Sequence, residues 1–251
     1  MTKQIYNFLY SILNSYSPLT FFMVGGVCYT LLYPTTNFIL NKVSDKYKKC
    51  KKGEKYYILS NILKSSVLSV LSVYFSLSVF YGDFNLINPS EWGTNQRVLK
   101  NIVGLYAITD TVPLLINREK MKTSTIIHHI CVFASYIYIL SLSDFNQEGV
   151  FKSIIIYGGF SSLAYLVNFY LGSRFLTDNK TYIKYLKKAA GISYITSCGF
   201  NWTWQIYYMM LLLKYYYNNS MYLGYIKIGF LGTLIKYWIK DDLILIKHLL
   251  K

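Results

Sequence analysis

Acidic side chains are scarce in this chain. Its 251 residues hold 11 Asp and Glu against 26 Lys and Arg, with 3 His, 4 Cys and 4 Pro. A net charge of +15 would in isolation point to nucleic acid, but the bases gather in short segments between apolar runs, so no phosphate-tracking groove and no nucleic-acid partner are expected. Four cysteines give no disulfide framework, since Cys28, Cys131 and Cys198 lie in apolar segments. Cys50, in the most lysine-rich connection, is a candidate for palmitoylation. There is no Gly-rich phosphate loop, no Gly-x-Ser-x-Gly elbow, no HExxH helix, no internal repeat and no heptad pattern. The N-terminal stretch MTKQIYNFLYSILNSYS has a short apolar core without a small-residue cleavage site, which argues against a removable signal peptide.

What is present is apolar and aromatic. The chain is 53% hydrophobic and 18% aromatic, with a mean hydropathy of +0.29. That is too much apolar surface for a soluble domain of this size, and it marks a polytopic membrane protein. At about 20 residues per span, seven helices are expected, near 19–40, 57–81, 98–117, 124–143, 150–172, 189–213 and 221–240. The fold class is therefore an all-α bundle of about seven transmembrane helices over 19–240, with an external or lumenal segment at 1–18 and a cytosolic tail at 241–251. The connections alternate in charge. Residues 41–55 carry seven lysines, 118–122 carry Arg118, Lys120 and Lys122, and 174–188 carry Arg174, Lys180, Lys184, Lys187 and Lys188. The connections between them hold Asp83, Glu91, Asp144 and Glu148. By the positive-inside rule the basic connections and the C-terminus face the cytosol. Of the two sequons, Asn218-Asn219-Ser220 then falls outside but close to the membrane, and Asn179-Lys180-Thr181 falls inside.

Against this background Asp110, His128 and His129 stand out, because an ionisable group in a spanning segment costs about 2.5–3.5 kcal/mol on insertion scales and marks a functional site by default. With the helices oriented as above, Asp110 lies ~10 Å and the histidines ~6–8 Å from the cytosolic face. Lys64 and Asn168 fall at a similar depth. A histidine there can act as a general base near neutral pH, with the carboxylate fixing its tautomer. The competing account is a pair of structural histidines bonding between helices. Adjacent helical positions differ by about 100°, so only one of the two can face the bundle axis. Tandem histidines lack the i, i+4 spacing of a helical metal pair, and no metal or bound cofactor is expected. Asn201, Trp202 and Trp204 place polar groups and two indoles at mid-depth in the sixth span, as candidates to line a lipid cavity or simply to pack between helices. Gly158, Gly159, Ser161 and Ser162 read as small residues for close helix approach. Pro34 and Pro113 fall inside spans, where each removes a backbone hydrogen bond.

Gly104-Leu105-Tyr106, Asp110, the basic connector from Arg118 to Lys122, and Ile126-Ile127-His128-His129 followed by an aromatic-rich run together resemble the core of the TLC domain. That family includes translocating-chain-associating membrane proteins, ceramide synthases and shorter TLC-domain proteins, and the chain most resembles the shorter members, over about residues 15–240. The resemblance implies a lipid-handling membrane protein of the endoplasmic reticulum or a related endomembrane, with membrane lipids as partners. It makes His128, His129 and Asp110 the catalytic candidates, and acyl-CoA a co-substrate for transfer to a long-chain amine. Lys64, Asn168, Asn201, Trp202, Trp204, Arg118 and Lys122 are the candidates for lipid or substrate binding, with Arg118 and Lys122 placed to steer CoA phosphates. Departures from the family pattern are the absence of a carboxylate over Tyr157–Tyr170, and Lys64 where shorter members often carry a histidine. Two other classes fit seven helices. One is a receptor or photoreceptor, since the segment around Lys227 is similar to the retinal-bearing segment of microbial rhodopsins, although Leu223 stands where a counter-ion is usual. The other is a transporter using Lys64, Asp110, His128 and His129 as a proton path.

Overall fold

The computed structural model describes residues 1–93, 95–118, 121, 123–142 and 149–250, and among these the chain is helical with no strand. The seven expected segments are all helical. They correspond to α2 (Pro18–Val43), α4 (Lys52–Phe80), α5 (Gln96–Asn117), α6 (Thr123–Ser141), the pair α7 (Val150–Ser162) and α8 (Tyr165–Ser173), α9 (Lys180–Asn218) and α10 (Tyr222–Leu250). Two further helices are α1 (Thr2–Ser15) and the five-residue α3 (Asp45–Lys49). Four helices, α2, α4, α5 and α6, are long and apolar enough to cross a membrane, and the bent pair α7–α8 makes a fifth if it counts as one span. The central stretch of α9 carries no charge from Ala189 to Leu213, but its Asn, Gln, Ser, Gly and Tyr content keeps its mean hydropathy low.

Burial follows helical periodicity. The buried side of α10 runs Gly224, Ile228, Leu231, Ile235, Trp238, Asp242, a step of three or four residues that keeps one face toward α9. The buried side of α9 runs Cys198, Asn201, Gln205, Tyr208, Leu212, Tyr216 and also serves α7, where Gln205 donates to Ser153 O. The two helices turn at Ser220, whose φ of 53° lies in the left-handed region that L-residues seldom adopt. A Cβ on Gly224 would meet the Tyr216 ring at 2.3 Å, so this crossing requires glycine. The outward faces are apolar: Leu19, Val27, Leu31 and Phe38 on α2, Ile130 and Ile137 on α6, Ile192, Ile206 and Met210 on α9, and Ile226 and Phe230 on α10 are all exposed. Such an outer surface is what a hydrocarbon solvent requires.

α7 is buried on most of its circumference and sits at the centre. It meets α8 at a bend of 44°, and three serine hydroxyls from neighbouring helices donate to carbonyls around the break. Ser65 reaches Tyr165 O at 3.0 Å, Ser193 reaches Leu163 O at 3.1 Å, and Ser197 reaches Phe160 O. A broken helix is tolerated at membrane depth where protein groups satisfy the freed backbone in this way. Gly159 admits the Phe75 ring of α4, 2.3 Å from where a Cβ would stand, which is the close approach expected of the small residues here.

α1, which hydropathy alone passed over, lies against α5 and α4. Its inner face presents Tyr6, Leu9, Tyr10 and Leu13 to the core, and the Asn101 amide on α5 donates to Leu13 O and Tyr16 O at 2.6 and 3.1 Å. Segment 1–18 thus closes one end of the bundle. The expected tail at 241–251 also differs: α10 continues without interruption to Leu250, and Leu249 is buried against Ala190 and Gly191 of α9.

The basic connections gather at one end. Lys46 pairs with Asp178 at 2.9 Å, Ser44 Oγ donates to Leu176 O, and Arg174 stands 3.3 Å from His248 Nε2. At the opposite end Trp204 Nε1 donates to Leu86 O, Tyr207 to Ile87 O and Tyr208 to Gly149 O. Among the described residues the basic connections 41–55 and 174–188 are therefore brought together, while Arg97, Lys100 and Lys152 lie at the opposite end. Asp144, Glu148, Lys120 and Lys122 lie outside the described residues.

Candidate functional site

Asp110, fully buried on α5, is the hub. The Lys64 ammonium of α4 donates to its Oδ1. His129 Nδ1 lies 2.9 Å from the same oxygen, on an approach too oblique for a hydrogen bond. The other oxygen, Oδ2, accepts no hydrogen bond and has His128 Nε2 at 3.9 Å. The two imidazoles stand nearly perpendicular, 82° between planes and 5.8 Å between centroids. That is the outcome of a 100° step along α6. His129 turns inward to the carboxylate, while His128 flanks it with a quarter of its side chain accessible.

His128 has a second carboxylate neighbour that the sequence reading missed: Asp241 Oδ2 of α10 is 3.8 Å from its Nδ1, and the Asp241 side chain is about half exposed. Read as the start of a tail, Asp241 carried no signal. Only the continuation of α10 into the bundle brings it to the site. The cluster is lined on its other sides by tyrosines. Tyr106, one helical turn before Asp110, has its ring 5.6 Å from Lys64 Nζ. Tyr29 and Tyr33 of α2 meet edge-on, with the Tyr29 hydroxyl buried and unbonded and the Tyr33 hydroxyl 3.0 Å from Ser60 Oγ.

His128 and Tyr106 also line, with Tyr74, Ser135, Tyr157 and Ser162, a mostly apolar slot of about 50 Å³ between α4, α5, α6, α7 and α10. Its walls include Phe75, Val132, Ile155, Gly158 and Trp238. Nothing lies within 4 Å of where a Cβ on Gly158 would stand, so this glycine leaves the space open, unlike its neighbour Gly159.

The remaining sequence candidates fall elsewhere. Asn201, Trp202 and Trp204 do not line the slot. Asn201 Oδ1 accepts from Gln205 at 3.2 Å and Trp204 Nε1 caps Leu86 O, both as packing contacts. Trp202 Nε1 donates to Asp242 Oδ2 at 3.1 Å, and Asp242 also accepts from Tyr194 at 2.7 Å and Tyr157 at 3.3 Å. This second buried carboxylate joins α7, α9 and α10. Asn168 is half-buried on α8 and has no part in the Asp110 cluster, and Arg118 is exposed at the end of α5. Lys122 lies outside the described residues. Lys227 is exposed on the outer face of α10, away from any enclosed chamber for a chromophore. The arrangement as a whole supplies a charged hub, one imidazole held close to it and a second imidazole free to exchange a proton with whatever occupies the slot. No family model, curated protein or solved structure matches the chain.

Proposed function

We propose that the chain is a TLC-type membrane protein of seven spanning helices that binds or processes lipid, with His128 as general base for acyl transfer from acyl-CoA to a long-chain amine. The single observation that carries the reading is the meeting of Lys64, Asp110, His128 and His129 from three helices at the edge of an apolar slot. In the reaction the amine nitrogen attacks the thioester carbonyl, His128 Nε2 takes the amine proton, the C–S bond breaks, and the leaving thiolate takes that proton back from the imidazolium. Lys64 donates to Asp110 Oδ1, and the Asp110 carboxylate stabilises the imidazolium as it forms. The slot excludes water around the reacting atoms while both chains lie along the lipid-facing helices. α9 and α10 complete the seven spans: α9 has a 25-residue stretch free of charge, and α10 exposes Ile226 and Phe230 on its outer face beside Lys227. The basic end faces the cytosol under the positive-inside rule, and residence in the endoplasmic reticulum follows from the resemblance.

The test uses purified protein in nanodiscs with labelled acyl-CoA and a panel of long-chain amines. Amide is expected by mass spectrometry from wild type and not from His128→Ala, and its absence from wild type with every acceptor overturns the catalytic part. Lipidomics of cells expressing wild type or the double histidine variant tests the broader lipid role. A second reading, proton translocation, is favoured by one observation: His128 lies between the buried Asp110 and the half-exposed Asp241. Proton flux in reconstituted vesicles that disappears in Asp110→Asn would select it.

A further inference from the structure

At the basic end a second cleft of about 570 Å³ opens between α2 and α4 and shares no lining residue with the slot at His128. Its outer rim carries Lys52, Lys55, Asn37 and Cys50, and its inner wall is apolar, built from Pro34 of α2, Leu59 of α4 and Ile116 of α5. Neither lysine is neutralised. Lys52 has no carboxylate partner among the described residues, and Lys55 meets only the neutral Asn41 Oδ1 at 2.9 Å and the Tyr47 ring at 5.0 Å. The carboxylates nearby are committed elsewhere: Glu54 accepts the Lys51 N–H at 2.8 Å, Asp45 pairs with Lys48, and Asp178 pairs with Lys46. A second, shallower hollow adjoins across Lys52 and adds Lys51 and Arg174, whose Nε is buried without a partner. Two unneutralised ammonium groups above a roomy apolar wall, at the bundle end where charge gives way to hydrocarbon-facing side chains, match one ligand chemistry. It is an anionic phosphate joined to an alkyl chain.

We propose that this cleft binds the phosphate head group of an anionic phospholipid drawn from the adjoining leaflet, with the phosphate between Lys52 and Lys55 and the upper chain against Pro34, Leu59 and Ile116. Lysine serves phosphate as a point charge, and the anionic leaflet concentrates such head groups at this level. Tyr33 lines the same cleft and its hydroxyl bonds Ser60 one turn before Lys64, so an occupied cleft adjoins the wall of the Asp110 site. The assignment stands whether or not that site transfers acyl groups.

Cys50 gives a local readout. Wild-type protein in nanodiscs is treated with a water-soluble maleimide, and alkylation at Cys50 alone is followed by mass spectrometry. Nanodiscs containing phosphatidic acid are expected to slow alkylation several-fold relative to phosphatidylcholine alone. Lys52→Ala/Lys55→Ala is expected to abolish the difference with an unchanged melting temperature. Lys48→Ala/Lys49→Ala, which removes the same charge from the same connection outside the cleft, is expected to keep it. Equal alkylation in the two lipids overturns the proposal, as does equal loss of protection in the two double variants. Protection by inorganic pyrophosphate or a nucleoside triphosphate in phosphatidylcholine nanodiscs, without protection by phosphatidic acid, overturns the lipid assignment in favour of a soluble phosphate.

Discussion

Asp110 and Asp242 are both carboxylates buried between helices, yet their surroundings differ in kind. Asp242 is surrounded by neutral donors, two phenols and an indole, that use both of its oxygens and tie three helices together. Asp110 is surrounded by an ammonium and two imidazoles, and it leaves one oxygen without a hydrogen bond beside an open slot. A satisfied neutral network fixes a structure, whereas a charged and incompletely bonded one keeps protons able to move. The difference separates a carboxylate whose bonding is complete from one that is left open, although Tyr157, a donor to Asp242, also lines the slot.

The largest expected effect comes from emptying the hub. Asp110→Leu leaves Lys64 buried without its counter-charge and should cost about 3–5 kcal/mol, the usual penalty for breaking a buried pair. Lys64→Met/Asp110→Leu should recover most of that loss while staying inactive. Thermal unfolding in detergent measures both, and equal melting temperatures for the single and double variants would remove the ion pair from the argument. Next comes His128→Gln, which should abolish turnover with little loss of stability, because His128 makes no close hydrogen bond. His129→Gln should lower both. Asp242→Asn should show the opposite pattern, destabilising by about 1–3 kcal/mol through a weakened acceptor for Tyr157, Tyr194 and Trp202. Product formed per folded molecule should stay at the wild-type level. A turnover loss in Asp242→Asn matching that of His128→Gln would erase the distinction between the two aspartates.

The smallest effect belongs to an exposed pair that does neither job. The hydrogen bond and charge of Lys46 hold the Asp178 carboxyl below the usual carboxylate range. A carboxylate whose folded-state pKa is depressed adds stability that is complete above its unfolded value, about 3.9, and is lost as pH falls through the folded one. Asp178→Asn should therefore lower the melting temperature slightly at pH 7 and not at all well below pH 3. A gap that persisted in acid would mean the side chain acts other than through its charge.

Several of these features were legible in the residues. The all-helical character, the four or five helices long and apolar enough to span, and the divergence of His128 from His129 each follow from a local rule: periodicity, apolar length, and 100° per residue. What escaped did so for physical reasons. α1 is amphipathic and too short to span, so hydropathy passed over it. The tail residues 241–250 are as charged as a solvated end, but in the folded chain one face of that helix is covered by α9. For Asn201, Trp202 and Trp204 the sequence left cavity lining and helix packing both open, because polar and aromatic groups at mid-depth serve either equally well. The side on which a residue falls is set by helix rotation, which no short window of sequence encodes.

By itself the sequence determined that the chain is a helical bundle with apolar outer faces and one basic end, because composition and periodicity act residue by residue. Only the tertiary structure decided that Lys64, Asp110, His128 and Asp241 share one site and that Asp242 does not. The rotation and crossing of α4, α5, α6 and α10 are settled by contacts between residues as far as 113 positions apart, as His128 and Asp241 are, and those contacts exist only once the helices have packed.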